Sequence, residues 1–134
     1  MRSVPARQAR LALVTLVVVW LAAAAGDGVH AQGYVEFTVR ARKFAFEVLG
    51  QDKPEMYVKL GDVVKITFEA MDIPHSFTTA DDPPHYRIDR RAEPGKPVTF
   101  EVHADQVGRI PIRCTLTIDP RCRDMLAWLI VTKD

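Results

Sequence analysis

Residues 109–132 read RIPIRCTLTIDPRCRDMLAWLIVT, and this stretch decides the fold. Both ends of the stretch are apolar and strand-like, and Ile110, Ile112 and Cys114 share one face of the first segment. The residues between these ends, Cys114 to Met125, include both cysteines of the chain and one of its four methionines. The pattern predicts a loop that joins two late strands and carries three sulfur-containing side chains at its mouth.

Short alternating apolar segments fill most of the chain before this loop. The alternating sets begin at Val35, Phe44, Met56, Val64 and Val98. Alternation with period two is typical of half-buried strands, and clusters of turn residues at 50–54 and 61–62 separate these segments. No long segment has helical periodicity with caps at both ends. The sequence therefore predicts an all-β fold, specifically an antiparallel Greek-key β-sandwich or barrel.

Residues 80–97 break this alternation. They contain the acidic and proline-rich run DDPP at 81–84, the charged run RIDRR at 87–91 and the turn sequence PGKP at 94–97. This composition predicts an exposed excursion of irregular structure. Its charges are interpreted as a solvated face, and the alternative is a docking surface for a partner.

The N-terminus has the order of a secretory signal peptide. Arg2, Arg7 and Arg10 precede an uncharged apolar run from 11 to 25, and small residues stand before Gln32. The apolar run is shorter than the roughly 20 residues that span a bilayer, although a retained anchor is the alternative. We expect cleavage after Ala31, a single domain at 32–134, and a location in the periplasm or outside the cell.

Composition argues against several functional classes. Removing three arginines and Asp27 with the leader from 18 basic and 17 acidic residues leaves 15 and 16, a net charge of −1. That balance gives no reason to expect a nucleic-acid partner, and no membrane association is expected after cleavage. No arrangement of nucleophile, base and orienting group is evident, because Ser76 and His75 are neighbours in a strand and face opposite ways. We therefore do not expect an enzyme.

One histidine in the middle of the chain is placed to meet the sulfur-bearing loop. It lies in the sequence Asp72-Ile-Pro-His75-Ser-Phe77, where Pro74 favours a strand edge or bulge. Thiolate and thioether sulfur select soft metals such as Cu(I), and imidazole binds copper or zinc.

Five segments of the chain occur in an order that is typical of one family. They are KLGD at 59–62, IPHSF at 73–77, PGKP at 94–97, GRIPIRC at 108–114 and MLAWLIV at 125–131. Together they resemble the cupredoxin family. The resemblance is closest to the copper-binding domain of cytochrome c oxidase subunit II and its soluble periplasmic relatives, and it covers most of residues 35–131. It implies a cupredoxin-like sandwich, a copper ion, and a partner that exchanges electrons or copper.

The resemblance also implies a ligand set and shows where this chain departs from it. The two-copper members have the loop Cys-x3-Cys-x3-His-x2-Met, which laid from Cys114 expects Cys at 118, His at 122 and Met at 125. The chain has Ile118, Cys122 and Met125. A dinuclear centre is therefore not expected, and the implied site is a single copper ion bound by His75, Cys114, Cys122 and Met125. The second thiolate favours Cu(I) and copper handling over an ordinary blue copper site.

Two interpretations of the cysteines remain open. They bind the metal, copper or zinc, or they form a Cys114–Cys122 disulfide in an oxidising compartment and brace a non-metal binding or structural module. Among the other histidines, His103 is too far along its hairpin from Cys114, and His30 leaves with the leader. His85, in the excursion, is a further candidate to fold back toward the site.

Overall fold

The computed structural model describes residues 32–79 and 86–134. The predicted leader at 1–31, its cleavage site and His85 lie outside these residues. Within the described residues, no helix has the length and apolarity needed to cross a membrane. Nine strands are present: β1 Tyr34–Arg42, β2 Ala45–Val48, β3 Glu55–Lys59, β4 Val63–Ala70, β5 His75–Thr79, β6 Asp89–Ala92, β7 Val98–His103, β8 Gly108–Arg113 and β9 Leu126–Thr132.

The strands form two sheets, in the orders β2-β1-β4-β7 and β3-β9-β8-β5-β6. The all-β sandwich predicted from alternation is confirmed. The expected antiparallel pairing holds for the other pairs, but β1 pairs with β4 and β3 pairs with β9 in parallel, so both sheets are mixed. Parallel neighbours need a long connection rather than a hairpin, and here further strands lie between the two partners in the sequence. Alternation reports which face is buried and carries no information about strand direction.

The core lies between the inner faces of the two sheets. Strand β4 alternates between half-buried and buried residues along its whole length, as its sequence predicts. Phe77 from the five-stranded sheet packs edge-on against Phe68 and Phe100 from the four-stranded sheet, with ring centroids 5.6 and 5.2 Å apart. Such pairs add about 0.5–1.5 kcal/mol each beyond area burial. Because Phe77 follows His75 by two residues, this contact also fixes the strand that carries the histidine.

Residues 86–97, the described part of the segment at 80–97, are more regular than their composition suggests. They contain β6, which pairs antiparallel with β5 and places Ala92 opposite His75. Arg90 and Arg91 are exposed, so the prediction of a solvated charged face holds, but the prediction of irregular structure is wrong for these residues. Backbone pairing with β5 makes the strand, and a two-sided polar edge strand has no apolar alternation to reveal it.

Tyr86 ties the start of this segment to the turn between β7 and β8. The side chain is buried, and its hydroxyl donates to the Gln106 carbonyl and accepts from the Gln106 N–H, both at 2.9 Å. Burial raises the pKa of the Tyr86 phenol, so the hydroxyl keeps the proton that it donates.

Replacing Tyr86 with phenylalanine is expected to destabilise the domain by about 1–3 kcal/mol. The ring still fills its space, but the backbone groups of Gln106 lose their partner. The measurement is the midpoint of urea unfolding. Tyr57→Phe is the matched control, since Tyr57 is 57% exposed and its hydroxyl contacts only the side chain of Glu55 among the described residues. We expect that variant to stay within about 0.5 kcal/mol of the parent. Equal losses in the two variants would contradict the role given to Tyr86.

Candidate metal centre

His75 begins β5, directly after Pro74, and its side chain is fully buried. Its Nε2 lies 2.9 Å from Oδ1 of Asp72, whose side chain is 32% exposed. The same carboxylate accepts hydrogen bonds from the backbone N–H groups of Lys43 and Ile73, both at 2.7 Å. Partial burial alone would raise the pKa of Asp72, but the bonds from Lys43, His75 and Ile73 lower it below its ordinary value. The carboxylate is therefore ionised and accepts from Nε2.

This contact sets the tautomer of the histidine. A carboxylate can only accept, so Nε2 carries the hydrogen and the Nδ1 lone pair is available on the other side of the ring. Nδ1 lies 3.9 Å from Sγ of Cys114. The Asp72 contact thus holds the imidazole with its unprotonated nitrogen toward the thiol.

Cys114 follows β8 directly and is buried, as its place on the Ile110–Ile112 face predicts. Its Sγ accepts a hydrogen bond from the backbone N–H of Ser76 at 3.4 Å. The hydroxyl of Ser76 accepts from the backbone N–H of Thr115 at 2.8 Å. Ser76 therefore fixes both the sulfur and the backbone that follows it, which joins the start of the loop to β5.

Cys122 lies in a 3₁₀ helix at Pro120–Asp124. Asp119 caps this helix by accepting from the N–H of Arg121, and Pro120 occupies the first turn, where a missing N–H costs nothing. The helix turns Cys122 inward, where its side chain is fully buried. Burial, and next the neighbouring Cys114, raise the pKa of the Cys122 thiol. The two cysteines are not bonded to each other.

The three side chains form one cluster. Nδ1 or Nε2 of His75 and the Sγ atoms of Cys114 and Cys122 all lie within 4.8 Å of one another. A metal bound to sulfur at about 2.3 Å and to nitrogen at about 2.1 Å, with an angle of about 120° between them, separates these atoms by about 3.8 Å. The observed 3.9 Å between Nδ1 and the Cys114 sulfur is close to that value. The spacing of this pair therefore matches that of two donors bound to one soft ion.

The other candidates occupy different positions. Met125 is buried immediately after the 3₁₀ helix, and its backbone N–H donates to the Cys122 carbonyl at 3.2 Å. That contact places its backbone beside the cluster. His103 is exposed at the end of β7 in the four-stranded sheet and does not belong to the cluster.

Two residues with a role at the site were missed as such from the sequence. Asp72 stands three residues before His75, a spacing that would suit a contact, but only the loop geometry shows that the carboxylate meets Nε2. The sequence presents Ser76 only as a member of a catalytic arrangement that does not form. In the structure its N–H donates to the sulfur of Cys114, and its hydroxyl accepts from the N–H of Thr115.

No protein-family model and no curated protein matches the sequence. Solved structures do match. A chain of a heme-copper terminal oxidase dimer aligns with a TM-score of 0.65 at 19% identity over 78% of this chain and 67% of its own. The periplasmic domain of subunit II of cytochrome oxidase from Bradyrhizobium japonicum aligns with a TM-score of 0.61 at 15% identity, over 74% and 84%. Auracyanin A, a "blue" copper protein from Chloroflexus aurantiacus, aligns with a TM-score of 0.56 at 18% identity, over 75% and 100%.

The fold is that of a cupredoxin. The fold implied by the sequence resemblance is therefore confirmed. In this fold, the cluster of His75, Cys114 and Cys122 lies where β5 begins and where the β8–β9 loop starts and turns back. Two strands that are neighbours in one sheet bring together residues that are 39 positions apart in sequence.

Replacing Asp72 with alanine is expected to weaken metal binding by about 10–100-fold, because the imidazole loses the partner that fixes its tautomer and orientation. Asp72→Asn keeps an oxygen that can accept from Nε2–H, and we expect it to recover most of the loss. The measurement is metal affinity in a competition titration, together with the ¹⁵N chemical shifts of the His75 ring, which report the tautomer. Equal affinities of the alanine and asparagine variants would contradict this role of Asp72.

Proposed function

We propose that this chain is an exported cupredoxin-like protein that binds a single copper ion. The ligands are His75 Nδ1, Cys114 Sγ and Cys122 Sγ, with the thioether of Met125 as a weaker fourth. The observation that carries the proposal is the cluster itself: three buried donor atoms within 4.8 Å of one another in a cupredoxin fold. Auracyanin A, which shares the fold, is described as a copper protein, and this supports the choice of metal.

The donor set favours the reduced state of the metal. Two thiolates and a thioether are soft ligands that suit Cu(I), and copper bound here would supply one-electron chemistry. Around it, the chain's residues have distinct tasks: Asp72 orients the imidazole, Ser76 holds the Cys114 sulfur, and burial of all three donors excludes water. We infer that the protein handles copper or transfers single electrons, with a redox or copper-transfer protein as partner, and is not an enzyme.

The test is a metal titration of the mature domain. Residues 32–134 are produced in a bacterial periplasm behind the native leader, reduced, and titrated with Cu(I) against the chelator bathocuproine disulfonate. We expect one copper per chain, and after oxidation a sulfur-to-copper charge-transfer band. Absence of retained copper in the folded, fully reduced protein would refute the proposal. A precursor that reaches the periplasm and keeps residues 1–31 would refute cleavage of the leader alone, and a protein that stays in the cytoplasm would refute export alone.

A second candidate is a non-metal binding or structural module braced by a Cys114–Cys122 disulfide. It is favoured by one observation: the two thiols lie within 4.8 Å of each other, so a small movement of the loop would join them. Forming the bond removes two protons and two electrons, which an oxidised thiol–disulfide oxidoreductase would accept. Thiol titration of protein purified without reductant separates the candidates. Two free thiols exclude this module, and a disulfide protein that retains no copper after reduction supports it.

A further inference from the structure

A depression of about 350 Å³ opens directly over one of the proposed ligands. It is lined by Arg113, Cys114, Thr115 and Arg123. Cys114 is only 1% exposed, whereas the two arginines and Thr115 are exposed. Cys114 therefore lies at the floor of the depression, and Arg113, Thr115 and Arg123 lie at its rim. We refer to this feature as the arginine cleft.

The charge of the arginine cleft is not balanced locally. Several exposed arginines are paired, including Arg109 with Glu55 and Arg121 with Asp119. Within residues 32–79 and 86–134, neither Arg113 nor Arg123 has a carboxylate within ion-pair distance. The acidic residues of the loop reduce this charge little, because Asp119 already binds Arg121 and Asp124 does not line the cleft. The cleft thus carries two guanidinium groups without an ion pair among the described residues, on a domain whose net charge is about zero. The carboxylate of Asp89, which contacts Thr78 beside Thr115, is the acidic group on its far side.

We infer that the arginine cleft is the docking surface for an acidic protein that exchanges electrons with the site. This inference rests on the proposed copper function. Arginine is enriched at protein interfaces, and complementary charge steers association. Ile118, 53% exposed, adds an apolar group on the same loop. One electron passes in either direction between the partner's redox centre and the site behind Cys114, so one side is oxidised as the other is reduced.

A protein fits the arginine cleft better than a small anion or a general polyanion does. An anion site built for a small ligand would present a buried polar group awaiting a partner, and no such group exists among the described residues. The domain as a whole offers a polyanion little attraction, since after leader removal it carries 15 basic and 16 acidic residues. A local positive patch selects a partner with a matching acidic patch.

The test uses copper-loaded protein with two probes of opposite charge, acidic cytochrome b5 and basic cytochrome c. We expect exchange with cytochrome b5 to slow as salt is added, and to fall at least about 10-fold in the double variant Arg113→Glu, Arg123→Glu. The matched control is Lys59→Glu, Lys133→Glu, which makes the same change in net charge. Lys59 and Lys133 are exposed beside Thr132, which ends β9, whereas Met125 lies just before the start of that strand. The control should change the rate less than about 2-fold.

Three results would overturn the inference. The first is that both double variants slow exchange equally. The second is that the rate with cytochrome b5 does not depend on salt. The third is that exchange is faster with cytochrome c than with cytochrome b5 and that the arginine variant leaves both rates unchanged.

Docking can also be measured without copper, which separates the two proposals. Cytochrome b5 added to the reduced apo-domain should shift the amide resonances of Thr115 and Arg123. Shifts caused by inorganic phosphate but not by cytochrome b5 would overturn the inference in favour of a small-anion site. If the wild-type protein binds no copper, the proposed function fails, and the amide shifts alone decide whether the arginine cleft docks an acidic protein.

Discussion

The Cys122→His variant is expected to bind Cu(II) stably and to turn an intense blue. The family resemblance expects a histidine at this position, and the structure places Cys122 in the cluster with His75 and Cys114. Two imidazoles and one thiolate with a weak thioether are the ligand set of blue copper sites. Removing the second thiolate also removes a preference for Cu(I), so the reduction potential should fall. The measurements are visible absorption, electron paramagnetic resonance and voltammetry.

Cys122→Ser is the control for this variant. It removes the same thiolate without adding an imidazole, and its hydroxyl is a poor copper ligand. We expect it to bind Cu(II) weakly and to show little colour. If the histidine and serine variants have the same spectrum while both remain folded by circular dichroism, the second imidazole does not reach the metal and the proposed ligand role of position 122 is wrong.

Cys114→Ser is expected to lower Cu(I) affinity by more than about 100-fold. Loss of residues that only support a ligand costs about 10–100-fold, and Cys114 is a proposed ligand itself. Its sulfur is the donor that contacts both Nδ1 of His75 and the N–H of Ser76. The measurement is competition against bathocuproine disulfonate, with urea unfolding to verify that the fold is kept.

Met125→Leu provides the comparison for Cys114→Ser. Leucine fills nearly the same volume, so the core is maintained. A weak fourth ligand should contribute less than about 10-fold to affinity. A Cys114→Ser protein that keeps copper as tightly as Met125→Leu would contradict the ligand set. A different pair of results would support the disulfide module. The wild-type protein would hold no metal and have no free thiol, whereas Cys114→Ser would have a free Cys122 thiol.

The sandwich could be predicted from the sequence because it depends on strand alternation, and the meeting of His75 with Cys114 is what the resemblance to the cupredoxin family implies. Apolar residues with period two mark buried faces, and the loop between the last two strands was visible from its flanking segments. Strand β6 could not be predicted, because an edge strand with the sequence DRRA is held by main-chain bonds to β5 rather than by apolar side chains.

The support of the site was less predictable than its ligands. Candidate ligands can be recognised from residue type alone, since few side chains other than cysteine, histidine and methionine bind soft metals. Supporting contacts use common residues and depend on how loops fold. In the sequence, nothing distinguishes Asp72, Ser76 and Arg113 from other loop or strand residues. Only the fold brings them next to His75 and Cys114.

The carboxylate of Asp72 bridges two parts of the domain that are otherwise separate. It accepts from the main chain of Lys43, in the turn between the first two strands, while it holds the ring of His75 in the opposite sheet. Locking that ring in place should therefore slow proton–deuterium exchange at the Lys43 amide, a probe remote in sequence from both thiols. The first hairpin would then report the state of a centre to which it contributes no donor atom.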